Sequence, residues 1–173
     1  MQARHLPTDD LQDAFADQLE RHRRMVFKVA HTYTSDAADC EDLAQEIVVQ
    51  LWKAYPHYDP ARPFSTWLYR IALNVGISHL RREGPRRRLT VPFDPEHHVP
   101  TAPDPASTEP SQLLTRLIAE LDPLSRALLL LYLDERSYRE IAGILGISES
   151  NVSTKINRLK ERLRRLGDAH GTR

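Results

Sequence analysis

Between Glu83 and Pro110 the chain carries Pro85, Pro92, Pro95, Pro100, Pro103, Pro105 and Pro110, seven of its 12 prolines. Each pyrrolidine ring fixes φ and removes an amide donor, so neither a helix nor a central strand is expected to pass through such a density. The stretch reads as an extended linker, and it splits the 173 residues into two short blocks. Both blocks are helical in pattern. No alternating run of β-branched residues marks a strand, and no internal repeat is evident. The expected fold class is all-α: two small helical domains, residues 1–84 and 111–173, joined by an extended Pro-rich linker at 85–110.

In the first block Leu11, Phe15 and Leu19 fall at i, i+4 and i+8, and Met25, Val26, Val29 and Ala30 continue the helical pattern. Asp36 is placed to cap the next helix, with Asp39, Glu41 and Asp42 enriching its positive end. Leu43, Ile47 and Leu51 form that helix's stripe, flanked by Val48 and Trp52. Pro56, Pro60 and Pro63 then require a loop. A third helix is predicted from about Phe64 to Arg82, with Trp67, Leu68, Ile71, Ala72, Val75 and Leu80 facing the core and Gly84-Pro85 marking its end. Gly76 is expected to weaken it by roughly 1 kcal/mol relative to Ala.

The second block opens with Leu113, Leu114, Leu117, Ile118 and Leu121. Asp122 is a predicted N-cap with Pro123 in the first turn, and the leucine run 128–131 marks the most buried helix. Ser137-Tyr138-Arg139-Glu140 has the form of a capping box. The short helix it opens reaches Leu145. Gly146-Ile147-Ser148 then supplies a residue able to take positive φ, a buried aliphatic and a new N-cap. The last helix carries Val152, Ile156, Leu159 and Leu163 on one stripe. Two helices joined by a three-residue glycine-containing turn form a helix-turn-helix pattern. The face opposite that stripe offers Ser150, Thr154, Asn157 and Arg158, flanked by Ser153 and Lys155. Short hydrogen-bonding side chains beside cations suit base edges and phosphates, and Lys160, Arg162, Arg164 and Arg165 extend the charge.

Net charge is zero, from 24 basic and 24 acidic residues, but it is not evenly spread. Residues 1–60 carry 6 basic against 11 acidic side chains, 61–100 carry 7 against 3, 101–134 carry 2 against 5, and 135–173 carry 9 against 5. Alternating segments of opposite sign fit polyanion binding on one surface and a protein partner on another; they fit ordinary solvated helix faces as well. Arginine outnumbers lysine 20 to 4, which suits bidentate phosphate and base contacts and equally reflects a GC-rich coding sequence.

Asp42-Leu43-Ala44-Gln45-Glu46, Leu51-Trp52 and the run Phe64-Ser65-Thr66-Trp67-Leu68-Tyr69-Arg70-Ile71-Ala72-Leu73-Asn74 resemble conserved region two of bacterial RNA polymerase sigma factors. Ser137 to Ala142, with Gly146-Ile147-Ser148 and Asn151-Val152-Ser153, is similar to region four of the same proteins. Two regions and a short linker are the layout of the extracytoplasmic-function (ECF) sigma factors. The resemblance covers roughly residues 15–82 and 111–166.

That resemblance implies a factor that binds core RNA polymerase, through the β′ clamp and β flap, and directs it to promoter DNA. Asp42, Gln45 and Glu46 would meet the clamp. Tyr58 to Phe64, with Arg70 and Asn74, would hold an unstacked base of the −10 element, since a flipped base needs an apolar wall and amide hydrogen bonds. Arg81, Arg82 and Arg86 to Arg88 would contact phosphates. Asn151, Ser153, Thr154, Asn157 and Arg158, with Lys155 at the flank, would read the −35 element in the major groove. An anti-sigma factor is an implied further partner. The chain departs from the family pattern at Ser78, where a carboxylate is common, and at Asn157, often larger or more basic.

Other classes are disfavoured. No Gly-x-Ser-x-Gly elbow, Gly-x-Gly-x-x-Gly or phosphate-binding Gly-Lys-Ser/Thr loop occurs, so no enzyme is expected. No His-x-x-x-His pair exists, and His97-His98 lie in the linker, so no metal or cofactor is expected. Cys40, the single cysteine, reads as a structural thiol. The residues before Asp17 lack an apolar signal core and no run could span a bilayer, so a cytoplasmic protein without membrane insertion is expected. The remaining rival is a helix-turn-helix regulator acting without core polymerase.

Overall fold

Helices form where caps and apolar stripes allow them. In a computed structural model of the chain, which describes residues 8–90 and 118–170, the elements are α1 (Thr8–Tyr33), α2 (Ala37–Ala54), α3 (Phe64–Thr90), α4 (Pro123–Leu133), α5 (Tyr138–Leu145) and α6 (Glu149–His170). A 3₁₀ turn, Tyr55–His57, follows α2. Among the described residues there is no strand, and the all-α class stands. Asp36 accepts the Asp39 amide at 2.8 Å and Asp122 accepts the Ser125 amide at 3.0 Å, so both caps act as the sequence predicts.

The end of α3 differs from expectation. The helix continues through Gly84 and Pro85 to Thr90. Proline forfeits one bond, to the carbonyl of Arg81, and Arg81 is exposed, so water can serve that carbonyl instead. The arginines that follow are good helix formers. Residues 91–110 of the expected linker, with His97 and His98, lie outside the described residues, as do Leu113, Leu114 and Leu117.

α1, α2 and α3 pack on one another, and α4, α5 and α6 do the same. The two blocks are not held apart. α1 and α3 contact α4, α3 also contacts α5, and one buried cluster runs from Val26, Val29, Leu43 and Leu73 to Leu128, Leu131, Ile141 and Ile156. Tyr33 is the joint. Only 2% of it is exposed. Its ring lies so close to α3 that a Cβ on Gly76 would fall 2.4 Å from Tyr33 Cδ2. Its hydroxyl donates to the Pro123 carbonyl of α4 at 3.0 Å. Beside it, Arg126 donates to the carbonyls of Thr32 and Leu121, each at 3.0 Å. The glycine that looks like a helix weakness in sequence is thus the groove for a buried aromatic ring.

Gly76→Ala should therefore destabilise the chain by about 1–3 kcal/mol through overpacking, despite the gain in helix propensity. Urea denaturation followed by circular dichroism reads this; a midpoint equal to or above that of the wild type would contradict the close approach.

Candidate nucleic-acid interface

The turn between α5 and α6 is built by local chemistry. Ser137 Oγ accepts the Glu140 amide at 3.2 Å, and Glu140 Oε2 accepts the Ser137 amide at 2.8 Å and the Ser137 hydroxyl at 2.7 Å. These bonds, with the charge of Arg136 behind them, hold the Glu140 carboxyl below the usual carboxylate range. Gly146 closes α5 at φ 69, the left-handed region, and its amide and that of Ile147 both donate to the Ala142 carbonyl, at 2.9 and 3.2 Å. Ser148 Oγ then accepts the Asn151 amide at 3.2 Å and opens α6.

α6 seats Val152, Ile156 and Leu159 in the core, at 0%, 1% and 7% exposure. Its opposite face leaves Asn151, Thr154, Asn157 and Arg158 exposed, with Ser153 and Lys155 half-buried at the flanks. Thr154 donates to the Ser150 carbonyl at 2.9 Å, which leaves its lone pairs outward as acceptors. Further along, Lys160, Arg162 and Arg165 are already engaged. The Lys160 ammonium sits 4.4 Å from the Tyr132 ring centroid, Arg165 pairs with Glu161 at 2.6 Å, and Arg162 approaches Glu120 at 4.0 Å.

α3 presents a second polar face. Arg70, Asn74, Ser78 and Arg81 are all exposed, at i, i+4, i+8 and i+11. The loop before it stands on aromatic rings. Tyr58 stacks on Tyr55 at 5.8 Å between centroids and lies 5.0 Å from Trp67 and 5.4 Å from Phe64. Its hydroxyl donates to the Arg62 carbonyl at 2.6 Å, and Asp59 accepts the Ala61 amide at 3.0 Å. Phe64 is only 5% exposed, so it anchors the loop from below rather than lining its outer side. The side chains of Arg86 to Arg88 lie outside what is described.

On α2, Asp42 and Gln45 are exposed and Glu46 is half-buried. Val49, at 47% exposure, and Trp52, at 36%, prolong that face. Glu46 is bound by Arg82 through both oxygens, at 3.1 and 3.2 Å, so residues assigned in sequence to polymerase and to DNA meet in one ion pair. The exposed apolar pair was legible in the i, i+3, i+7, i+10 spacing of Asp42, Gln45, Val49 and Trp52, whereas the Glu46–Arg82 pair had no local signal. Cys40 is 2% exposed and burial raises its thiol, as suits a structural role.

Comparison with known proteins places this geometry. Residues 19–86 match the Sigma-70 region 2 family and residues 111–163 match Sigma-70, region 4. The ECF RNA polymerase sigma factor SigW of Bacillus subtilis (strain 168) is 31% identical over 166 residues, spanning 89% of each chain. The structure of CnrH in complex with the cytosolic domain of CnrY aligns with a TM-score of 0.67 at 28% identity, over 91% of this chain and 90% of that one. The sigma factor RpoE from Bartonella quintana, solved with the anti-sigma factor NepR, shares the fold at a TM-score of 0.70 and 19% identity, over 90% and 97% of the two chains. A region-two bundle followed by a region-four helix-turn-helix defines a sigma factor. The chain belongs to the ECF group of that family, and is an alternative sigma factor that directs promoter-specific transcription initiation.

The capping box holds the first turn of α5, the helix packed against α6. Ser137→Ala should cost about 1 kcal/mol of stability, the usual value of an N-cap, and urea unfolding will test it. No loss would show that the box does not hold α5.

Proposed function

We propose that this sigma factor divides its work among three faces: α2 for core polymerase, α3 with its preceding loop for the −10 element, and α6 for the −35 element. The observation that carries the reading is the pair of exposed polar rows, Arg70-Asn74-Arg81 on α3 and Asn151-Thr154-Arg158 on α6, each backed by a buried apolar stripe. Arg158 and Asn157 read base edges, and Thr154 and Ser153 supply acceptors near the groove wall. Lys155 lies at the phosphate flank. The loop from Tyr58 to Phe64 receives an unstacked base, with Asn74 supplying amide hydrogen bonds, and Arg81 and Arg82 hold the adjoining backbone.

On α2, Asp42, Gln45 and Glu46 offer carboxylates and an amide to the β′ clamp, and Val49 and Trp52 add apolar contact of the kind found at interface centres. The region-four block meets the β flap. The functional division follows residues 1–84, 85–110 and 111–173. The chain performs no bond-making chemistry itself and works in the cytoplasm; among the described residues no helix is long and apolar enough to cross a membrane. An anti-sigma factor is its regulator, a reading supported by CnrH, a relative solved with a second protein bound.

Run-off transcription with purified core polymerase and the promoter upstream of its own gene tests the reading as a whole. Footprinting of duplex DNA by the chain alone, with no association with core, would instead establish the regulator without polymerase. Arg158→Ala is expected to weaken −35 recognition by roughly 1–3 kcal/mol, read as promoter affinity; unchanged affinity and selectivity would remove it from the reading face. Asn74→Ala should leave core binding intact but impair duplex opening. Undiminished permanganate reactivity of promoter thymines in that variant would take Asn74 out of the melting site.

A further inference from the structure

Many arginines among the described residues are already occupied. Arg62, Arg82, Arg162 and Arg165 pair with carboxylates, and Arg126 donates to three carbonyls. Arg21 and Arg24 of α1 are different. Both are exposed, and neither has an ion pair, hydrogen bond or ring contact with another described residue. Asp17 and Glu20 precede them by four positions, the spacing at which a carboxylate and a cation pair along a helix, yet neither closes such a pair. Arg70 of α3 is exposed and unpartnered in the same way.

Arg21, Arg24 and Lys28 stand at i, i+3 and i+7, one exposed row on α1. Two contacts fix which way the row faces. At its start the His22 ring lies 4.9 Å from that of Phe64, the residue that opens α3 and floors the Tyr58–Phe64 loop. At its end Lys28 and the Tyr69 hydroxyl of α3 take the two oxygens of Asp134, which Arg136 also approaches at 3.7 Å. The row therefore runs beside α3, from the level of the loop to the level of Arg70. α2 lies on the other side of α1, where Arg23 and Phe27 line a groove with Ala44 and Val48.

A strand whose base is seated in the loop must carry its backbone onward from there. Surfaces that hold single strands combine rings, on which bases stack, with a cationic track for the phosphates. Tyr58 and Trp67 supply rings at the loop, and Arg70 lies one turn further along α3. Across the seam between α1 and α3, Arg21 and Arg24 offer two more guanidinium groups with no carboxylate to give up, each able to meet a phosphate through two parallel bonds.

We infer that Arg21 and Arg24 bind backbone phosphates of the single strand that adjoins the base held by the Tyr58–Phe64 loop. The inference deepens the −10 role proposed above and rests on it. A nucleic-acid backbone fits this row better than an acidic segment of polymerase, because the row adjoins the base-holding loop and lies across α1 from α2, the face proposed for core. Phosphate contacts carry no base preference, so these two residues set affinity rather than promoter choice.

Holoenzyme assembled from the full chain and core polymerase tests this on fork-junction DNA whose −10 strand is single. The double variant Arg21→Gln, Arg24→Gln removes both charges and keeps good helix formers. It should bind several-fold more weakly at low salt, equally for every −10 sequence. The slope of log affinity against log salt should flatten by about 1.4, from about 0.7 for each single-strand phosphate lost. Arg21→Lys, Arg24→Lys should keep most of that slope, and both variants should match the wild type in core affinity and urea midpoint. Wild-type affinity and slope in the glutamine variant would overturn the inference. So would a loss of core affinity, which would make the row a protein contact. A lower urea midpoint with an unmoved slope would also overturn it, leaving the arginines as partners of Asp17 and Glu20 within α1. If the wild-type holoenzyme shows no preference among −10 sequences, the −10 role itself falls and the inference with it; if that preference stands and the glutamine variant keeps its slope, the phosphate row alone falls.

Discussion

The close approach of Tyr33 to Gly76 sets the arrangement of both blocks. A phenol that is 2% exposed must find a partner for its hydroxyl, and α1 ends at Tyr33, where its own carbonyls also need partners. The Pro123 carbonyl takes the hydroxyl and Arg126 takes the Thr32 carbonyl. The end of one helix is therefore satisfied by the beginning of another, 90 residues along the chain. Burial pushes the Tyr33 phenol well above its ordinary range, so it remains a neutral donor throughout the physiological range. Without the glycine the ring could not lie down, and the polar contacts beside it would have no fixed geometry.

The two polar faces proposed to read DNA follow from the same economy of helix geometry. α3 and α6 each bury one side and leave a polar row on the other, because residues three and four apart share a face. Leu68, Ala72 and Leu73 go inward while Arg70 and Asn74 stay out; Val152, Ile156 and Leu159 go inward while Asn151, Thr154 and Arg158 stay out. Rigid backing matters to such a face, since a base-reading side chain must be held where the groove edge will be. The loop before α3 is held differently, by stacked rings and one hydroxyl, and its tip residues Asp59 to Arg62 stay exposed.

Sequence disclosed whatever depended on neighbours within one turn. Asp36, Asp122, Ser137 and Gly146 each act through a bond three or four residues away, and each was legible. Pro85 misled because its cost depends on whether the abandoned carbonyl reaches water, which sequence does not state. Gly76 appeared as a propensity loss because the ring that needs the space belongs to another helix. Phe64 opens α3 and also serves as the floor of an aromatic cluster, a packing fact with no local mark. The Asp134 node joins positions 28, 69, 134 and 136, and no periodicity points to it.

Charge follows the same division. The alternation of acidic and basic segments allowed two readings in sequence, and the structure shows a third use for it: ions pair across segments. Lys28 of the acidic first segment binds Asp134 of the third, Glu46 of the first binds Arg82 of the second, and Arg162 of the fourth approaches Glu120 of the third. Such exposed or half-exposed pairs are each worth only about 1 kcal/mol or less. They matter more for DNA. Each arginine held by a carboxylate must exchange that partner for a phosphate, so fewer counterions are released for every phosphate neutralised and the electrostatic drive toward bare duplex falls. Zero net charge over the whole chain adds little long-range attraction to bare duplex.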